Sequence, residues 1–73
     1  MIRLDHIGHG VKVLVSGINA GRQAQQKMAT LGIFPGAMLQ VLSGNRHGPV
    51  VIRIGSGKLI LGRTLASKIM VKQ

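Results

Sequence analysis

Leu31-Gly32-Ile33-Phe34-Pro35-Gly36 reads, within six residues, as a helix ending, a buried elbow and a strand beginning. Leu31 is the last apolar residue of a helix-spaced set. Gly32 stands where helices end, in the left-handed region that glycine enters without a Cβ penalty. Pro35 follows three residues later and cannot continue a helix. Phe34-Pro35-Gly36-Ala37 has proline at i+1 and glycine at i+2, the chemistry of a type II turn. Ile33 and Phe34 lie between the two breakers and are expected to be buried or bound. Phe34 is the one aromatic residue of the chain.

Working back from the elbow, Ala20, Ala24, Met28 and Leu31 recur at i, i+4, i+8 and i+11. They form one stripe of an amphipathic helix spanning about residues 20–31. Asn19 is the expected N-cap, because its side chain can accept a hydrogen bond from a free backbone N–H. Before it, Val11 to Ile18 alternates in period two and predicts a half-buried strand. Residues 1–10 are mixed, with Leu4 and Ile7 spaced for one short helical turn.

Working forward, Met38 to Leu42 predicts a second strand. Ser43 to Gly48 is polar and glycine-containing, and reads as a mobile loop. Pro49 to Ile54 predicts a third strand with Arg53 outward. Gly55-Ser56-Gly57 reads as a tight hairpin and Lys58 to Leu61 as a fourth strand. Gly62 to Ser67 reads as a short helical turn, and Lys68 to Lys72 as the last strand. Five short strands with one inserted helix predict a mainly β fold, a small, strongly bent antiparallel barrel. Its closure would remove most exposed edges. The alternative is an open three-stranded sheet packed on the helix.

The length, 73 residues, allows one domain, residues 1–73. Such a chain buries only about 60% of its unfolded surface, so marginal stability is expected. No cysteine is present to add a disulfide or a thiolate metal site. No stretch approaches the ~20 apolar residues of a membrane span, and the N-terminal stretch lacks the apolar core of a signal peptide. The expected location is the cytoplasm. Ten lysines and arginines face a single acid, Asp5, for a net charge of +9. That surface attracts polyanions and should be stabilised by salt.

From the elbow outward, an ordered series of residues resembles the ferrous iron transport protein A (FeoA) family. Leu31-Gly32-Ile33-Phe34-Pro35-Gly36 is similar to that family's LG-apolar-x-PG elbow. Gly48-Pro49, Ile52, Ile54 and Gly57 resemble its second-half strand and hairpin. Leu59, Leu61, Arg63, Ala66, Ile69 and Val71 resemble its closing segment, and Gly10, Val13, Val15 and Ile18 its first strand. The similarity runs from about Leu4 to Val71. It implies an SH3-like barrel with a helical insertion. It further implies a small accessory protein of Fe(II) uptake, whose partner is an inner-membrane permease with a cytoplasmic G-protein domain. The same domain type also forms the tail of iron-dependent repressors; a repressor fragment is the less expected reading, because no helix-turn-helix pattern is read ahead of the first strand. Two features depart from the family: its usual acids in the helix and near the last strand are replaced here by Gln, Lys or Ser, and its small polar elbow residue by Phe34.

Enzyme chemistry finds little to use. A nucleophile with a base, or paired carboxylates, is absent. Ser56-Gly57-Lys58 fails as a phosphate loop, because Ile52 stands where a glycine is needed and Leu59 where a hydroxyl is needed. No catalytic residue and no cofactor are assigned. No metal site is assigned either; Asp5, His6 and His9 are the only candidate cluster, since Fe(II) accepts imidazole and carboxylate. Met28 and Met38 are read as core filler on apolar faces.

Three binding classes therefore remain. The first is a non-catalytic adaptor docking on the permease through Met28, Leu31, Ile33, Phe34 and Pro35, with core packing as the competing role for each. The second is a basic barrel binding nucleic acid, RNA above all; a single aromatic limits base stacking and argues for non-specific contact only. The third is attraction to the anionic inner-membrane surface. An apolar elbow on a small barrel also allows homo-oligomers.

Overall fold

The computed structural model describes residues 1–44 and 48–73. Its strands follow the β-branched alternation. They are β1 (Ile2–Arg3), β2 (Lys12–Ile18), β3 (Met38–Gly44), β4 (Val50–Ile54), β5 (Gly57–Leu61) and β6 (Ile69–Lys72). A single 3₁₀ turn, Leu4–His6, follows β1. Helix α1 (Arg22–Thr30) joins β2 to β3, and the one-turn helix α2 (Arg63–Ala66) joins β5 to β6.

Among the described residues the six strands form one antiparallel sheet, in the order β1-β6-β2-β3-β4-β5. The fold is mainly β with an inserted helix, as expected, but the barrel does not close. β1 and β5 each pair on one side only. Bending comes from two register shifts, between Val15 and Gly17 in β2 and between Val41 and Ser43 in β3. Each bulge adds a residue to one strand and increases the local twist.

One pleat of every long strand faces inward. Val13 and Val15, Leu39 and Val41, Val50 and Ile52, and Ile69 and Val71 are all buried. Leu4, Ile7, Met28, Ile33, Leu61 and Ala66 complete this aliphatic core. At about 25 cal/mol per Å² of apolar surface removed from water, this burial is the main stabilising term. The β4–β5 hairpin pairs Ile54 with Gly57 across the two-residue loop Gly55-Ser56. Gly55 has φ +59, so the turn requires glycine there, and Ser56-Gly57-Lys58 is hairpin, not phosphate loop.

Several expectations are corrected. β1 was not foreseen; its two residues are exposed and gain order only by pairing with Val71 and Met70. The helix begins at Arg22, with Gly21 as N-cap and no side-chain cap. Asn19 does not cap it, because the helix starts two residues too late for its side chain to stand at the N-cap; its backbone N–H donates to Lys68 O at 2.7 Å. Gln25 secures the helix start instead, its Nε2 donating to Ala20 O at 2.9 Å. Met38 is not core filler; it stands on the outer pleat, 59% exposed, beside buried Leu39. Ser43 and Gly44 extend β3, whereas the middle of the expected loop, residues 45–47, lies outside the described residues.

Candidate functional site

The elbow is built from hydrogen bonds at both ends. At the end of α1, Gly32 N–H donates to Ala29 O at 3.0 Å and Ile33 N–H to Met28 O at 2.9 Å. With Gly32 at φ +93, this is a Schellman motif. That motif brings together the apolar residues at C3 and C″, here Met28 and Ile33. Both are core residues, 3% and 0% exposed. Met28 and Ile33 are the hydrophobic pair under the helix end, which is the core role set against partner contact at these two positions.

Leu31 departs only from the helix stripe in which periodicity placed it. The helix stops at Thr30, and Leu31 is the C-cap, past the buried stripe. Its side chain is 47% exposed, as is that of Phe34. The next turn holds Phe34 in place. Ala37 N–H donates to Phe34 O at 2.9 Å, and Gly36 has φ +96, as a type II turn demands. Gly36 N–H donates to Val15 O and Val15 N–H to Ala37 O, both at 2.8 Å, so the turn is fastened to β2. Leu31, Phe34 and Pro35 are therefore exposed apolar groups on an immobilised backbone.

Two recesses flank Pro35. One, of about 220 Å³, lies between the elbow and α1 and is lined by Ile18, Arg22, Gln25, Gln26, Ala29, Ile33, Phe34 and Pro35. The other, of about 440 Å³, lies toward β2 and the chain ends and is lined by Met1, Leu14, Val15, Ser16, Pro35, Gly36 and Lys72. Ser16 Oγ on its wall is buried, with no hydrogen-bond partner among the described residues. The α1 wall of the first recess was missed by the sequence reading. Its signal was present: positions 22, 25, 26 and 29 follow the i, i+3, i+4, i+7 pattern of one helix face.

The candidate metal residues do not converge. Arg3 claims Asp5, with Nε to Oδ1 at 3.1 Å and Nη2 to Oδ2 at 3.0 Å. The Asp5 side chain is only 3% exposed in that pair. Arg3 Nη2 also reaches His6 Nε2 at 3.1 Å. A guanidinium only donates, so that ring nitrogen accepts. His9 lies apart, with Nε2 3.2 Å from both the N and the O of Gly44. Among the described residues no three His, Cys, Asp or Glu side chains are grouped to hold a metal. No helix among them is long and apolar enough to cross a membrane.

The FeoA domain family matches residues 2–73. A Methanocaldococcus jannaschii protein named "Putative Fe(2+) transport protein A" is 41% identical over 72 residues, covering 99% of this chain and 87% of its own. A crystal structure of an iron uptake regulatory protein, FeoA, superposes with a TM-score of 0.86 at 35% identity, covering 97% of this chain and 93% of that one. Stenotrophomonas maltophilia FeoA, crystallised with zinc and called a prokaryotic SH3 domain protein, superposes at 0.83. It is 16% identical and covers 99% of this chain and 91% of that one, a likeness of fold.

Proposed function

This chain belongs to the FeoA family, and from that premise we propose that it is a non-catalytic accessory protein of ferrous iron uptake. It docks on the cytoplasmic part of an iron permease that carries a G-protein domain, and biases the conformation or assembly of that permease. It works in the cytoplasm, at the membrane where its partner sits. The relatives named for Fe(2+) transport support the process.

The observation that carries the docking site is the half-exposed pair Leu31 and Phe34, set beside Pro35 on a backbone fixed to both α1 and β2. Pre-ordered apolar groups lose little entropy on binding, which suits an anchor entering a partner's pocket. Arg22, Gln25 and Gln26 on the facing helix supply a polar rim.

Phe34→Ala tests this. The expected result is at least about a tenfold weaker capture of the purified permease, with the fold retained. Unchanged capture would overturn the docking site.

A further inference from the structure

The strand register places four polar side chains in one row across the outer face of the sheet. Lys12 pairs with Gln40, Gln40 with Arg53, and Arg53 with Lys58. Directly opposed residues share a face, and four adjacent strands span about 15 Å at ~4.8 Å each. Lys12, Arg53 and Lys58 are exposed. Arg53 and Lys58 are like charges in direct opposition, an arrangement that destabilises a sheet unless something relieves it. The one acidic side chain, Asp5, is held by Arg3.

Between Lys12 and Arg53 lies a recess of about 220 Å³, with Gln40 on its wall and Met38 and Gly55 at its edges. Gln40 is anchored there by Nε2 donating to Gly10 O at 3.0 Å. Aliphatic side chains border the row on the same face. Met38 is two residues before Gln40 on β3, and Ile60 two after Lys58 on β5. They are 59% and 71% exposed.

We propose that this outer face is a docking surface for the anionic headgroups of a lipid bilayer. The cations of the row meet lipid phosphate, and Met38 and Ile60 enter the boundary between headgroup and acyl chain. The charge excludes a second copy of this chain as occupant, since two such faces repel. Nucleic acid fits less well: the face carries no aromatic side chain for base stacking, and exposed aliphatic groups gain nothing against a phosphate backbone. The inference is independent of what the elbow binds.

The test is co-sedimentation of the whole protein with vesicles of phosphatidylglycerol in phosphatidylcholine, against vesicles of phosphatidylcholine alone. The expected result is binding to the anionic vesicles only. K12Q/R53Q should weaken it about thirtyfold, at roughly fivefold per cation near the surface. K27Q/K68Q removes the same charge elsewhere and should cost far less. M38S/I60S should lower the binding that survives at physiological salt. Thermal melts of each variant confirm that it is folded. Equal binding to neutral vesicles, equal losses in the two charge variants, or tighter binding to single-stranded RNA than to anionic vesicles would each overturn the proposal.

Discussion

At the elbow, three apolar side chains stand on a backbone tied to α1 through the Schellman bonds and to β2 through the Val15 amide and carbonyl. On the outer sheet face, three cations stand on a ladder that orders their stems and leaves their charged ends in water. The exposed side chains of both regions lie outside the core cluster. They differ in reach. Docking proposed for the elbow works by shape, over contact distance, and should hardly notice ionic strength. Binding proposed for the sheet face works by field, over about 10 Å at 0.1 M salt, and should weaken as salt rises.

The sharpest way to break the comparison lies inside the elbow. Ile33 and Phe34 are consecutive, yet one is fully buried and the other half exposed. Ile33→Ala should lower stability by about 2–5 kcal/mol in a denaturant titration, by deleting one half of the Met28–Ile33 pair. A loss well under 1 kcal/mol would mean that the elbow does not rest on that pair. Gly32→Ala should cost about 1–2 kcal/mol, because φ +93 is a left-handed conformation and the new Cβ would sit 3.4 Å from Ile54 Cδ1. Phe34→Ala should cost only about 1 kcal/mol or less, its ring being already half in water, while removing the contact on which docking depends. A larger destabilisation would make Phe34 a core residue and return docking to another surface.

The smallest effect lies on the sheet face and has the opposite sign. Lys58→Gln removes one member of the opposed Arg53–Lys58 pair and should raise stability by about 0.2–1 kcal/mol. The gain should shrink as salt is added, because screening already relieves the wild-type repulsion. A loss of stability at low salt would show that the opposed cations are not a burden.

Local chemistry made much of this molecule legible in advance. Gly32 and Gly36 take the positive φ that their neighbours implied, since a helix stop and a Pro-Gly turn are decided within a few residues; the tight hairpin at Gly55-Ser56-Gly57 also formed, with Gly57 already paired in β5. The inward pleats of β2 and β4 followed from alternation. What escaped depended on partners distant in the chain. Periodicity placed Leu31 in the stripe, but the helix stopped one residue earlier and the Schellman pairing chose Ile33 for the core. β1 has no pattern of its own, and β6 supplies its order. The cationic row exists only once the register of four strands is known, and Met38 and Leu39 exchange faces with a one-residue slip. Closure of the barrel was inferred from the number of strands, whereas the pairing leaves β1 and β5 as edges.

The most direct test of the account is the affinity of this chain for the cytoplasmic part of the iron permease from the same cell, measured at low and at high salt with Phe34→Ala alongside. The account predicts a wild-type affinity that changes little with salt and a variant that is weaker under both conditions. An affinity that collapses as salt rises and is the same for both proteins would contradict it, and would transfer the docking role from the elbow to the charged face of the sheet.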